Sequence, residues 1–209
     1  MSNYKVKTLP DLSLDSPPHM EAKANSPDHF RLWEHNVADR FKSKTEEEVK
    51  AELKATSQPF AVCFEHWIGD FNMGSGIRNA NAFNAKEVFY VGERKWDRRS
   101  AVGVYNYTPV QWLPTIEEFA KLKDRYQIIG VDNVPGSFSM HHHCWRDNTL
   151  MVFGEEGVGL TPAMQDLCEA IVHIDMFGSV RSLNCGVASG IAMHDFIEYK
   201  YRHSPCYND

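Results

Sequence analysis

No stretch of this 209-residue chain approaches the roughly 18 apolar residues that a membrane-spanning helix needs. The opening MSNYKVKTLPDLSLDSPP has no apolar core of the kind a signal peptide carries, so the sequence predicts a cytoplasmic protein with no membrane partner. Cysteines number five (Cys63, Cys144, Cys168, Cys185 and Cys206), an odd count with wide spacing and no Cys-x-x-Cys pair. That excludes a disulfide framework and the usual zinc patterns, and leaves most of them as small apolar filler. Neither G-x-G-x-x-G nor Gly-Lys-Ser/Thr occurs, so the common dinucleotide and P-loop fingerprints are missing. Positive charge is also scarce. The net charge is -6, and attraction to a polyanion would have to come from a local patch.

What is present suits one compact domain with an arm: 43% hydrophobic, 12% aromatic and 24% charged residues, too apolar for intrinsic disorder. Charge is uneven. Residues 1–125 balance 18 basic against 18 acidic side chains, whereas 126–209 hold 4 against 10. Pro10, Pro17, Pro18 and Pro27 mark an extended N-terminal arm. Apolar residues at helical spacing from Phe30 to Phe41 predict a helix to about residue 43, and Thr45 with Glu48 predicts a capping box opening a second helix to about Ala55. The predicted division is an extension over 1–57 and a main domain over 58–209.

In the main domain, predicted strands at 59–67, 87–92, 126–133, 148–153 and 170–175 alternate with predicted helices at 75–84, 115–125, 162–169 and 182–202. Such alternation predicts an α/β fold with a mostly parallel sheet, whose ligand crevice lies at the carboxyl ends of the strands. Three polar or Gly-rich loops follow strands there, at 68–76, 154–161 and 175–182. In the second, Glu155 and Glu156 would repel a pyrophosphate; a neutral or cationic ligand face suits the loop better. In the first, Arg78 follows the glycines and could bind an anion. In the third, Ser182 reads as a helix cap with Asn184 close behind.

Three motifs stand in order: N-x-G-x-x-I-R-N-A (Asn72 to Ala80), V-F-G-E-E-G-V-G-L (Val152 to Leu160) and I-D-M-F-G-S-V-R-S-L-N-C-G-V-A (Ile174 to Ala188). Over about residues 59–200 the chain resembles the SpoU (TrmH-like) RNA 2'-O-ribose methyltransferases of the SPOUT superfamily. The resemblance implies a SPOUT-type parallel sheet with helices on both faces, a deep C-terminal trefoil knot, and S-adenosylmethionine as methyl donor. It also implies a homodimer whose active site draws on both subunits. By motif position, Asn72, Arg78, Glu156, Ser182 and Asn184 would form the reactive set. Gly154, Ile174, Met176, Gly178 and Leu183 would hold the donor. Three departures are visible: Glu155 for a common Asn, Asp175 for a common Pro, and Cys185-Gly186 for the usual Val-Ser.

The implied chemistry asks little of the protein. A sulfonium methyl is already electrophilic, so the site must orient an in-line attack and help a ribose hydroxyl lose its proton; no metal is expected. Arginine keeps its proton in water. In the family, Arg is described as a base assisted by the substrate phosphate; the other reading is that Arg78 only holds the phosphate. The patch Arg94, Lys95, Trp96, Arg98 and Arg99 combines cations with an aromatic ring, a pairing suited to RNA phosphate contact and base stacking. His141, His142 and His143 do not match separated zinc ligands and read as a surface loop, with RNA contact as the alternative. The expected function is methylation of a ribose in structured RNA, tRNA ahead of rRNA. A non-catalytic SPOUT-fold module that binds RNA or senses the donor is the alternative, and an unrelated nucleotide-binding α/β enzyme is disfavoured by the missing phosphate fingerprints.

Overall fold

A computed structural model describes residues 37–65 and 71–203. The predicted arm, and the predicted helix up to residue 36, lie outside them. From residue 37 that helix is not found: Asp39–Phe41 form a single 3-10 turn, with Phe41 buried. The next expectation holds. Helix α1 spans Glu46–Ala55 behind a reciprocal capping box, in which Thr45 Oγ1 accepts from the Glu48 amide (3.3 Å) and Glu48 accepts from the Thr45 amide (2.8 Å).

Among the described residues seven strands form one sheet: β1 (Gln58–Glu65), β2 (Ala85–Val91), β3 (Val110–Leu113), β4 (Gln127–Val131), β5 (Phe138–Ser139), β6 (Thr149–Phe153) and β7 (Ala170–His173). Their order is β3-β2-β1-β6-β4-β7-β5, and every pairing is parallel. The helices are α2 (Phe71–Ala82), α3 (Ile116–Ala120), α4 (Pro162–Gln165) and α5 (Cys185–Arg202). A parallel sheet is buried on both faces, so its strands read as apolar runs instead of alternating ones. In β1, Phe60, Val62 and Phe64 pack with Ile77 of α2 and Phe196 of α5, while Ala61 and Cys63 pack with Phe119 of α3 and Met164 of α4. Helices therefore cover both faces, as expected.

Several boundaries differ from the sequence reading. Helix α2 begins at Phe71, not residue 75, so the glycines taken for a loop lie inside a helix. Size explains them. A methyl group at Gly76 would stand 2.5 Å from the Phe64 ring, and one at Gly74 would collide with the Ser100 hydroxyl. Each glycine costs a helix about 1 kcal/mol, a cost offset by the close packing it permits. The Pro/Tyr segment before α3 contains edge strand β3, whose four residues were too few to register, and two-residue β5 was missed for the same reason. Helix α3 stops at Ala120 and continues as a 3-10 turn, Lys121–Asp124. The cap of α5 is Asn184, whose Oδ1 accepts from the Val187 amide (3.2 Å), instead of Ser182.

Candidate active site

Loops leaving β4, β6 and β7 converge at the carboxyl end of the sheet around a cavity of about 300 Å³. Of the residues singled out by motif, Gly154, Glu156, Ile174, Met176, Ser182 and Leu183 line it. Gly178 does not; it stands exposed, with nothing within 4 Å of a methyl group placed there. Arg78 does not line this cavity either.

Loop 154–160 is a closed lasso. The Glu155 and Gly159 backbones exchange both hydrogen bonds (3.1 and 2.8 Å), and Gly159 sits at φ +75°, where a side chain would be strained. Gly154 packs directly against the Gly159 and Leu160 backbone, leaving no room for a Cβ. Two carboxylates anchor the exit. Asp132, just past β4, accepts from the Leu160 amide (2.7 Å) and the Asn133 amide (2.7 Å). Glu65, at the end of β1 and only 6% exposed, accepts from the Thr161 amide (2.9 Å) and hydroxyl (2.7 Å). Burial, with Glu155 and Asp132 adding repulsion, raises the Glu65 carboxyl above its ordinary range, while the Thr161 hydrogen bonds pull it back. Neither residue was singled out from sequence. An acid closing an apolar run was the available signal for Glu65, and position at a strand's carboxyl end was the one for Asp132.

At the rim, three motif residues distant in sequence meet. Asn72 Nδ2 donates to Glu156 Oε2, Asn184 Nδ2 donates to Asn72 Oδ1 (2.7 Å), and the same Nδ2 lies 3.4 Å from Glu156 Oε1. Asn72 is 8% exposed, so its amide is fixed while Glu156 borders the cavity. Cys185 sits beneath them with its thiol toward the Gly154 carbonyl (3.3 Å); burial and nearby Glu156 and Asp132 push that thiol well up, so it stays protonated. Loop 174–178 is tied down through Asp175, which accepts from the Ser139 hydroxyl and faces His173 Nε2 at 3.5 Å. The Ser139 hydrogen bond, helped by His173, His141 and His142, holds the Asp175 carboxyl below its usual range.

Helix geometry explains why Arg78 stands apart. Six residues along a helix rotate about 600°, or 240° net, so Arg78 and Asn72 project from different sides of α2. Arg78 is exposed and borders a second cavity, of about 340 Å³, together with Phe41, Val49, Asn81, Val104 and Tyr107. The basic patch lies beside α2, because Ser100 and Ala101 pack on Gly74. Its members differ in partner. Arg94 stacks over Trp112 (5.3 Å) and Arg98 over Trp96 (5.8 Å) and Tyr105 (5.1 Å), whereas Arg99 is ion-paired with Asp97 and Lys95 is exposed. Trp112 and Tyr105 were missed because they lie outside the charged run. His143 departs from the surface-loop reading: it is half-buried, edge-on to Trp145 at 4.6 Å.

Gly186, Ser189, Gly190 and Met193 lie at i, i+3, i+4 and i+7 and form one stripe of α5, which is covered within the chain. Gly186 approaches Ser75, and Asn79 of α2 donates to the Gly186 carbonyl (2.7 Å) and lies 3.1 Å from the Ser189 hydroxyl. That stripe therefore says nothing of a partner; the exposed side of α5 carries Val187 and Ile191 instead. Among the described residues, no helix is long and apolar enough to cross a membrane, and no group of three or more His, Cys, Asp or Glu could hold a metal ion.

Comparison with known proteins agrees with this geometry. The chain is 29% identical over 136 residues to the 23S rRNA (guanosine-2'-O-)-methyltransferase RlmB of Bordetella pertussis, covering 62% of this chain and 55% of that one. It thus spans little more than half the length of that relative. The crystal structure of the A. aeolicus TrmH/SpoU tRNA modifying enzyme has the same fold, with a TM-score of 0.66 at 18% identity over 75% of this chain and 85% of the other. That of AviRb from Streptomyces viridochromogenes in complex with the cofactor AdoMet superposes with a TM-score of 0.61 at 25% identity, over 67% and 57%. Residues 59–194, holding all three motifs and the walls of the cavity, match the SpoU rRNA Methylase family, and the chain belongs to it.

Proposed function

We propose that the protein is an S-adenosylmethionine-dependent methyltransferase acting on a ribose 2'-hydroxyl of structured RNA. The observation that carries this is the Asn72–Glu156–Asn184 cluster on the rim of a cavity built by three strand-end loops. The cavity suits the donor. Among the described residues its walls bring Asp132, Glu155 and Glu156 against a single cation, Arg181, beside apolar Ile174, Met176 and Leu183. Such a lining favours a cationic amino-acid nucleoside and disfavours a pyrophosphate. When bound, the donor supplies an electrophilic methyl group. Loops 154–160, 174–178 and 182–184 would hold it, largely through main-chain groups. Glu156, oriented by the two asparagine amides, would help position the reacting groups.

Arg78 would bind the RNA phosphate beside the reacting hydroxyl. Its place outside the cavity of its own chain supports a site made by two subunits, Arg78 of one beside the donor cavity of the other. Exposed Phe177, Val180, Val187 and Ile191, on the loop beside the cavity and on α5, supply an apolar surface for a second copy to cover. A trefoil knot formed by the C-terminal segment belongs to the same reading. The cation–aromatic stacks at Arg94 and Arg98 would meet RNA bases and phosphates, with Lys95 exposed beside them. Relatives named for rRNA and for tRNA both occur, so the substrate class proposed is structured RNA. Isothermal titration tests the donor site: micromolar binding of S-adenosylmethionine and none of NAD or ATP is expected, and the reverse preference overturns the reading.

A further inference from the structure

We propose that the groove between α1 and α2 is an RNA-binding site that guides an unpaired strand to Arg78; its destination rests on the role given to Arg78 above. The cavity of about 340 Å³ beside Arg78 and another of about 460 Å³ share walls at Leu53, Asn81, Asn84 and Tyr107, so together they form one groove along α2. The two ends differ in chemistry. The Arg78 end is lined by Phe41, Val49, Val102 and Val104 and is large enough for a nucleobase. The far end carries Lys50, Lys54, Lys86 and Arg125.

The partners of these groups set what the groove can take. Lys50 is paired with Glu46 and Arg125 with Glu87, whereas Lys54 and Lys86 have no ion-pair partner among the described residues. Both are exposed. Between the ends, Asn81 Nδ2 donates to Thr108 Oγ1 (2.8 Å), and Asn84 Nδ2 donates to the Leu53 carbonyl and Thr56 Oγ1 (3.1 Å each). No described residue donates to either amide oxygen, so both remain acceptors. An apolar recess, amide acceptors and two ammonium groups with no ion-pair partner among the described residues match an unpaired nucleotide followed by its phosphates. A polyanionic peptide would use the lysines but leave the recess beside Arg78 without a purpose.

The test compares wild type with the double variant Lys54→Gln/Lys86→Gln, neither residue belonging to the reactive set. Binding of a labelled single-stranded 20-nucleotide RNA of mixed sequence is measured across a salt series. Each lost phosphate contact lowers the log–log salt slope by about 0.7 for a single strand, so the pair should lower it by about 1.4. Affinity near 0.1 M salt should fall by roughly tenfold or more. Lys121→Gln in the 3-10 turn after α3, whose lysine is already paired with Glu118, should leave both unchanged. Unaltered slope and affinity in the double variant overturn the groove, as does displacement of the RNA by oligoglutamate at equal charge concentration. Titration of S-adenosylmethionine in parallel separates the two claims. Normal donor binding with unaltered RNA binding sinks the groove alone; absent donor binding in wild type, with RNA affinity lost in the double variant, sinks the methyltransferase reading and leaves the groove as an RNA site.

Discussion

Replacing Glu65 by alanine should unfasten loop 154–160 at its exit, and the size of the effect follows from its contacts. Glu65 accepts two hydrogen bonds from Thr161, at 2.9 and 2.7 Å, and Thr161 also caps α4 through its hydroxyl. A hydrogen bond to an ionised partner contributes about 1.5–3 kcal/mol, and a donor left buried without a partner costs a comparable amount. Losing both bonds should therefore destabilise the protein by roughly 3–5 kcal/mol. At this chain length, that lowers the melting temperature by on the order of 10 °C. Glu65→Gln keeps the shape but offers one acceptor oxygen for two donors, so it should lose about half as much. The pH dependence has a definite sign. Because the folded carboxyl titrates above its ordinary value of 4.5, its protonated form stabilises the fold at lower pH, and that contribution is lost as pH rises through the folded value. Stability of wild type relative to Glu65→Gln should accordingly fall as pH rises from about 4.5, then level off. Urea unfolding at several pH values measures all three proteins. Glu65→Ala within about 1 kcal/mol of wild type, or a difference profile of opposite slope, would refute the clamp.

Other residues give sharper functional splits. Arg78→Ala should leave donor binding unchanged and lower methyl transfer by at least about a hundredfold, and Arg78→Lys should recover little, since a point charge cannot reproduce the planar fork. Gly154→Val should abolish donor binding by forcing the lasso apart at Gly159 and Leu160, not by filling the cavity, whereas Leu183→Ala should weaken it modestly; equal small effects in calorimetry would count against this pocket. Val187→Arg with Ile191→Arg should convert a dimer into a species of about 24 kDa by light scattering. A wild type already monomeric at micromolar concentration would remove the two-subunit site.

Much of the frame was readable because a doubly covered parallel sheet writes its strands as apolar runs between helices, as in Phe60–Phe64 and Leu150–Phe153. That Gly154, Glu156, Ile174, Met176, Ser182 and Leu183 belong together was also readable, since motif order and spacing carried them, and they line one cavity. Reading failed where a contact, not a pattern, decides. Gly74 and Gly76 look like a loop until Phe64 and Ser100 are seen against them. Glu65 and Asp132 anchor backbone groups 96 and 28 residues away, respectively, which no local window can register. The stripe from Gly186 to Met193 is ambiguous by nature, because packing on α2 and packing on a second chain demand the same small residues.

The most direct test is where a labelled methyl group ends up. The protein is incubated with methyl-labelled S-adenosylmethionine and total RNA from cells lacking it, and the RNA is digested to nucleosides and resolved by mass spectrometry. Label is expected on a ribose 2'-oxygen at a single site of one RNA species, and none when Arg78→Ala is used. Label on a base, or no transfer to any RNA by a protein that binds the donor, would contradict it.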